Sequence, residues 1–241
     1  MEKISAWFIY FIIYAFLGYL CEVVYVSVGT RRLTNRGYLY GPICPIYGCG
    51  AVIVLLSLDW AYDMWYVVLP LGFLLTTTLE YIVSYLMEMI FHMRWWDYSK
   101  RKFNINGRVC LLNSTLFAGL VMLLVYVIHP YLVRPLVKLI PSEAILYTIF
   151  GILLTIFIID TIISTIKNID KAKLILKLQN TILDLESKRI ERISNLDEKI
   201  LLRVKKIAMS YPSLRLHSKL KMARISLHEL IEKIENKRKE E

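Results

Sequence analysis

Five long apolar stretches constrain the fold of this chain more than any other feature of its sequence. They cover residues 4–28, 43–58, 64–91, 111–128 and 144–166. A helix crosses the roughly 30 Å hydrocarbon core of a bilayer in about 20 residues. The second stretch is shorter and begins among glycines and prolines, so it either crosses with residues borrowed from its ends or re-enters the membrane. We predict an all-α, polytopic protein with about five transmembrane helices, embedded in a lipid bilayer.

The basic residues indicate how these helices are oriented. Lys and Arg are retained on the cytoplasmic side of a membrane. If the amino terminus lies outside, the inner loops and the tail together hold 27 of the 30 basic residues, and the outer segments hold three. We therefore predict a multi-pass protein with an external amino terminus and a cytoplasmic tail.

The net charge of +10 is divided unevenly along the chain. Residues 1–166 carry a net +2 and residues 167–241 a net +8, which predicts a transmembrane domain followed by a basic cytoplasmic domain. Apolar residues at helical spacing on both sides of Pro212 predict an α-helical hairpin or coiled coil, whose second helix begins near Ser213. The apolar stripes would bury each other or mediate a homo-oligomer through residues 167–241. Docking to an ATPase or to anionic lipid is the alternative, whereas interleaved acids argue against nucleic acid as a partner.

Acidic residues within the spans are the main candidates for a functional site. An ionisable group inside a span costs roughly 2.5 to 3.5 kcal/mol and by default indicates a site. At a rise of about 1.5 Å per residue, Glu22, Glu80 and Asp160 all fall in the cytoplasmic third of the membrane. The outer halves of the spans are apolar, which favours a cavity open to the cytoplasm and closed above. We predict a substrate or proton site formed by these three acids with Tyr19 and Tyr47.

Two of these acids have a structural interpretation that the sequence leaves open. Glu22 and Glu80 would then each pair with an arginine from an inner loop, with Arg36 and Arg108 as the candidates. Glu88 lies nearer the interface, where a solvated or arginine-paired charge is the favoured interpretation.

Two inner loops carry most of the remaining polar and irregular residues. The first contains Arg36, Tyr40, Gly41, Pro42, Pro45 and Gly48. A helix that begins at one of these prolines would direct N–H groups at the polar layer and form an anion site, and a packed turn is the alternative. The second loop contains Trp96, Asp97, Tyr98, Asn104, Asn106, Gly107 and Arg108. We expect it to form an ordered cap under the cavity.

Several of these segments resemble one bacterial family. The resemblance rests on Gly18 to Glu22, the run from Arg36 to Gly50, the Trp-Trp-Asp-Tyr-Ser and Asn-Ile-Asn-Gly-Arg segments, and Ile128-His129-Pro130. Here the chain is similar to the CmpB-type family of putative ABC-transporter type IV permeases, over about 160 residues. The resemblance implies a protein of the bacterial inner membrane that is grouped with transporter permeases. Because the sequence has no Gly-x-x-x-x-Gly-Lys-Ser/Thr run, ATP hydrolysis would come from a separate ATPase subunit.

Three functions remain open at this point. The first is a permease-like subunit with a cytoplasm-facing polar site. The second is a membrane-embedded enzyme or lipid-headgroup-binding protein, in which Glu22, Arg36, Asp97 and Arg108 surround a headgroup. The third is a scaffold or sensor that acts through the tail. The cysteines and histidines are scattered and form no zinc or catalytic constellation, so we expect no metal and no cofactor, and enzyme activity is less favoured.

Overall fold

The structure is a computed structural model, and it describes residues 2–30, 37–188 and 215–216. Helices dominate it: α1 is Glu2–Thr30, α2 Pro45–Leu58, α3 Trp65–Phe91, α4 Leu111–Leu123, α5 Arg134–Lys138 and α6 Glu143–Lys188. A 3₁₀ turn follows α2 at Asp59–Ala61, and a π-helix at Leu124–Val133 continues α4. The strands are two residues each: β1 Met93–Arg94, β2 Asn104–Ile105, β3 Val109–Cys110 and β4 Arg215–Leu216.

Four of the helices are long and apolar enough to cross a membrane. These segments are Lys3–Tyr25, Trp65–Phe91, Leu111–Lys138 and Glu143–Lys177. The second apolar stretch of the sequence forms the shorter helical segment Pro45–Ala61, which at about 1.5 Å per residue falls slightly short of a bilayer core. The predicted all-α, polytopic membrane protein is therefore confirmed. Whether the short segment crosses or re-enters stays a prediction.

The chain divides into two compact units. The first comprises Met1–Val83 and Tyr98–Thr165, and the second comprises Ser84–Asp97 and Ile166–Glu241. The core of the first unit is largely apolar and is formed by α1, α2, α3, α4 and the π-helix. Its buried residues include Tyr14, Ala51, Val54, Leu58, Val68, Val121, Leu124 and Val125. Since lipid is as apolar as these side chains, close van der Waals packing rather than removal from water stabilises this cluster.

Glycines allow the helices of the first unit to approach one another closely. A Cβ at Gly48 of α2 would lie 2.6 Å from the backbone oxygen of Phe11 on α1, and Gly18 of α1 in turn lies directly against Tyr47 of α2. Small residues at a membrane helix crossing let two backbones pack together, which lipid cannot do as well. The glycines of the first inner loop and of α1 therefore fix the α1–α2 pair that forms one side of the site described below.

A π-helix replaces the α-helical pattern around Pro130. Proline has no N–H to donate to the carbonyl four residues earlier, and its ring clashes with that carbonyl. The helix keeps its path through Leu124–Val133 by adopting the wider π pattern, which in general is rare. The His-Pro pair in the sequence is thus the local cause of this irregularity.

The second inner loop folds into a small hairpin. Strand β2 pairs antiparallel with β3, so that Asn104 lies opposite Cys110 and Ile105 opposite Val109. Asn106 and Gly107 both have positive φ, at 52° and 68°, as a turn of the primed type requires. The side chain of Asn104 stabilises this turn by accepting a hydrogen bond from Gly107 N at 3.0 Å.

In the second unit a buried ion pair and a strand pair are the main tertiary contacts described. Glu88 Oε2 accepts a hydrogen bond from Arg94 Nε at 2.9 Å, with both side chains buried, which confirms the arginine-paired interpretation of Glu88. Strand β1 pairs antiparallel with β4, so that Met93 lies opposite Leu216 and Arg94 opposite Arg215. Residues Arg215–Leu216 were predicted to be helical, and at these two residues the prediction was wrong. Helix α6 runs through residue 166 without a break. The rest of the predicted hairpin, from residue 189 onward, lies outside the described residues.

Candidate functional site

A cavity of about 120 Å³ lies within the first unit. Its walls come from α1, α2, α3, α4 and the π-helix, and most of them are apolar. Leu17, Val54, Leu79, Leu120 and Leu124 are representative of this lining, and Glu80 is the one carboxylate among the described residues that line it. A mostly apolar cavity with few polar groups between helices of a bundle is the usual form of a small-molecule site.

The acid of the cavity, Glu80, is deeply buried. Its side chain is on α3, and the residue is only 5% exposed. One carboxyl oxygen, Oε1, accepts a hydrogen bond from Asn113 Nδ2 at 3.1 Å. The other oxygen, Oε2, is buried and has no hydrogen-bond partner within the part of the chain that the structure describes. Buried polar atoms are nearly always satisfied, so an orphaned carboxyl oxygen on a cavity needs an explanation.

Tyr98 connects Glu80 to the hairpin loop. The Asn113 amide donates a second hydrogen bond, 2.7 Å long, to the Tyr98 hydroxyl. Burial raises the pKa of Tyr98 well above its usual value, and the nearby carboxylates of Glu80 and Glu22 raise this pKa further. Tyr98 is therefore a neutral phenol, and its hydroxyl can donate a hydrogen bond to the Glu80 carboxyl.

Glu22 reaches the cavity through Tyr47. The Tyr47 hydroxyl donates a hydrogen bond to Glu22 Oε2 at 3.0 Å. The Tyr47 ring lines the cavity and lies 5.8 Å from the ring of Phe117, between their centroids. The structure thus brings together Glu22, Tyr47 and Glu80 of the predicted site, and adds Tyr98 from the inner loop.

Within the described residues the structure shows no ion pair between Glu80 and an arginine. Asn113 occupies that place instead, while the guanidinium of Arg108 lies over the ring of Tyr81 at 5.6 Å. Arg36, the other candidate partner of these two acids, lies outside the described residues. An amide neutralises no charge, so Asn113 holds the carboxyl of Glu80 by a hydrogen bond, and an ion pair with Arg36 stays a prediction.

Asp160 belongs to a separate hydrogen-bonded cluster outside the cavity. Its carboxylate accepts hydrogen bonds from Tyr40 N at 3.0 Å, Gly41 N at 2.9 Å and Ser164 Oγ at 2.9 Å. Asp160 is not among the residues that line the cavity. Three donors converge on one carboxylate, so Asp160 holds the first inner loop against α6 and its role in the first unit is structural.

The first inner loop is a packed turn. Helix α2 begins at Pro45, one of the two prolines at which a helix start was predicted. The loop amides of Tyr40 and Gly41, however, donate hydrogen bonds to the Asp160 carboxylate. The amide of Cys44, just before the helix, donates to Ala15 O at 2.9 Å. Since these N–H groups already have acceptors, the geometry favours the packed turn over the anion site.

The other residues of the two motifs surround the site without lining the cavity. Tyr19 is half-exposed, and Tyr40 and Pro42 are exposed. Asn106 donates to the Tyr81 hydroxyl at 3.0 Å, next to Arg108, and the Gly107 carbonyl accepts from Tyr98 N at 2.8 Å. The hairpin thus positions Tyr98. Trp96 and Asp97 belong to the second unit.

Two functional candidates were missed by sequence reasoning. Asn113, the partner of Glu80, was one polar residue among several at the start of its span. At the far end of the cavity, the Tyr14 hydroxyl forms a 2.6 Å hydrogen bond with His129 Nδ1, and Tyr14 lines the cavity. The His-Pro sequence in the middle of a span was the available signal for this pair.

The cavity also extends further than expected. We expected it to be confined to the polar layer and closed by the apolar outer halves of the helices. Its lining instead runs from Glu80 and Cys21 at one end to Tyr14 and Ile128 at the other. It is thus an apolar chamber with one acidic end, rather than a polar basin. Within the described residues, no group of three His, Cys, Asp or Glu side chains could hold a metal ion.

Comparison with known proteins identifies one family. A family model described as "Putative ABC-transporter type IV" matches residues 9–165. The matched region contains all the residues that line the cavity. No curated protein and no solved structure matches the chain.

Proposed function

The chain belongs to the putative ABC-transporter type IV family, and from this premise we propose that it is a permease-like membrane subunit of a transporter, with a substrate or proton site at the Glu80 end of its cavity. The observation that carries the proposal is the buried carboxyl of Glu80, which faces an apolar cavity inside a membrane helix bundle. A carboxyl at this depth is costly, and such residues in spans usually mark substrate or proton pathways.

The cluster around Glu80 supports a site that binds a group or a proton reversibly. Asn113 donates to one oxygen of the carboxyl and to the Tyr98 hydroxyl, and Glu80 lines the cavity. Glu22 lies behind Tyr47 and within electrostatic reach of Tyr98. Each acid is hydrogen-bonded to a neutral group, Glu22 to the Tyr47 hydroxyl and Glu80 to the Asn113 amide, and a carboxyl with neutral partners can take up and release a proton.

We further propose that ATP hydrolysis comes from an ATPase that this sequence does not contain. In this proposal residues 1–166 form the transmembrane domain in the bacterial inner membrane, and residues 167–241 form a cytoplasmic tail that contacts the ATPase or a second copy. The basic-residue count supports an external amino terminus. Labelling intact cells with a membrane-impermeant maleimide tests this: Lys3→Cys and Lys138→Cys should react, whereas Lys102→Cys should react only after lysis.

The transport proposal is tested in proteoliposomes that contain the full chain together with its ATPase. We expect ATP-dependent movement of solute in the wild type and a loss of at least about tenfold in Glu80→Ala. The matched control is Asp63→Asn, because Asp63 is an exposed acid at the opposite end of the bundle and should leave transport unchanged. Equal transport by the wild type and Glu80→Ala would overturn the role of Glu80, and no ATP-dependent transport would overturn the permease function.

A further inference from the structure

Glu80 determines the chemistry of what the cavity accepts. It is the one carboxylate among the described residues that line the cavity, and one of its oxygens takes a hydrogen bond from Asn113. A carboxyl group away from water requires donors, and a charged donor gives the stronger and shorter bond. We therefore expect the occupant of this end of the cavity to carry an N–H or O–H donor for the Glu80 carboxyl.

The rest of the lining limits the occupant further. Among the described residues that line the cavity there is no Lys, Arg or His, so carboxylates and phosphates have no counter-ion there. The walls beyond Glu80 are formed by side chains such as Leu17, Val54 and Leu124. Sugars and other polyhydroxyl compounds would leave most of their polar groups without partners against such walls. The lining thus fits a molecule with one donor group and an apolar body.

The volume sets the size of that body. The cavity has a volume of about 120 Å³, and for comparison an apolar cavity of about 150 Å³ holds a benzene molecule. Along α1 the lining extends from Cys21 to Tyr14, which is about 10 Å at the helical rise. A chain or ring of about six carbon atoms fills this space and still reaches the carboxyl with its polar end.

We propose that the cavity binds a small amphipathic amine, with its nitrogen at the Glu80 carboxyl and its apolar body between α1, α2 and α4. The proposal deepens the transport function and rests on it only for the physiological purpose of the site. It does not depend on which partner carries the proton: an ammonium that meets a carboxylate and a neutral amine that meets a carboxylic acid give the same ion pair, with the same number of protons.

Binding to the full chain in nanodiscs tests the proposal without requiring transport. The probes are benzylamine, benzyl alcohol and toluene, which share a ring and differ in the group presented to Glu80. Titration calorimetry is corrected with empty nanodiscs of the same phosphatidylcholine, because all three probes partition into lipid. We expect benzylamine to bind about tenfold or more tightly than either neutral probe, as a charge-assisted hydrogen bond implies.

Two variants locate the binding. Glu80→Gln keeps the volume and an acceptor for Asn113 but removes the charge, so the preference for benzylamine over benzyl alcohol should disappear. Val54→Phe fills the apolar part of the cavity and should weaken all three probes together, since Val54 is a lining residue that is only 1% exposed. Asp63→Asn, an exposed acid elsewhere, controls for general attraction of cations to the protein and should bind as the wild type does.

The outcomes separate this proposal from the transport function. The amine site is overturned if the wild type binds benzylamine no better than benzyl alcohol, or if Glu80→Gln binds benzylamine as tightly as the wild type does. If Glu80→Gln folds poorly, the comparison of the three probes on the wild type still decides. Amine binding without ATP-dependent transport would retain the site and overturn the transport function. Weaker benzylamine binding in discs that contain phosphatidylethanolamine would identify an amine-headed lipid as the source of the same chemistry.

Discussion

The hydroxyl of Tyr47 on α2 donates a hydrogen bond to the carboxylate of Glu22 on α1, across 3.0 Å. The contact is made where the two helices cross, because Gly18 of α1 lets the Tyr47 side chain pack directly against the helix backbone. The same tyrosine ring forms part of the cavity wall. Glu22 does not line the cavity itself, but Tyr47 connects it to the cavity that Glu80 lines.

Replacing Tyr47 by Phe should separate the hydrogen bond from the packing. The ring still fills its place beside Phe117, so we expect a loss of stability of only about 1 kcal/mol, typical of a hydrogen bond between membrane helices. Function should fall more than stability, since Glu22 loses its connection to the cavity. Thermal unfolding in detergent and the proteoliposome assay measure the two effects. Tyr25→Phe, an exposed tyrosine on α1, is the control and should change neither.

Alanine at Gly48 should destabilise the α1–α2 pair. The added Cβ would lie 2.6 Å from the backbone oxygen of Phe11, which cannot move without moving α1. Overpacking of this kind typically costs about 1–3 kcal/mol, and thermal unfolding should detect it. The same change at Gly119 meets no atom within 4 Å and should be neutral or slightly stabilising, because alanine favours helix. Equal stability of the two variants would contradict the close crossing.

Asparagine at Asp160 should release the first inner loop from α6. The carboxylate accepts from the amides of both Tyr40 and Gly41, and an asparagine side chain offers one acceptor oxygen in place of two. We expect amide exchange at Tyr40 and Gly41 to become at least about tenfold faster by mass spectrometry, as the loss of a charge-assisted hydrogen bond implies. Ser164→Ala removes a second acceptor of Tyr40 and a donor to Asp160 Oδ1. It should spare Gly41, whose amide donates to Oδ2. Unchanged exchange in Asp160→Asn would show that other contacts hold the loop.

Alkaline pH should destabilise the protein through Tyr98. Burial and the neighbouring carboxylates raise the pKa of this phenol above 10 in the folded state, so the unfolded chain releases the proton first. The resulting stability is fully present below pH 10 and is lost as the pH rises above it, at up to about 1.4 kcal/mol per pH unit. Tyr98→Phe cannot ionise, so its stability should fall less steeply between pH 10 and 11 in denaturant titrations. Parallel curves for the two proteins would argue against a buried, neutral Tyr98.

The acidic residues show how far sequence reasoning reaches. Helix rise predicts that Glu22 and Glu80 lie at one depth, because distance along a helix is proportional to residue number. It groups Asp160 with them, whereas that carboxylate holds a loop. Depth says nothing about which way a side chain points around its helix, and that direction depends on how the helices cross. For the same reason the sequence did not identify Asn113 as a hydrogen-bond partner of Glu80.

By itself, the sequence determined that this is an α-helical membrane protein and where its helices run, since hydropathy is a property of each segment alone. It also indicated that a helix could begin at Pro42 or Pro45, because the backbone limits of proline are local, and α2 begins at Pro45. Only the tertiary structure decided that one cavity joins Glu80 to Tyr14, that Tyr47 binds Glu22, and that Asp160 binds the first loop. These features require contacts between residues far apart in the chain, and such contacts are set by the close glycine crossings that bring the helices together.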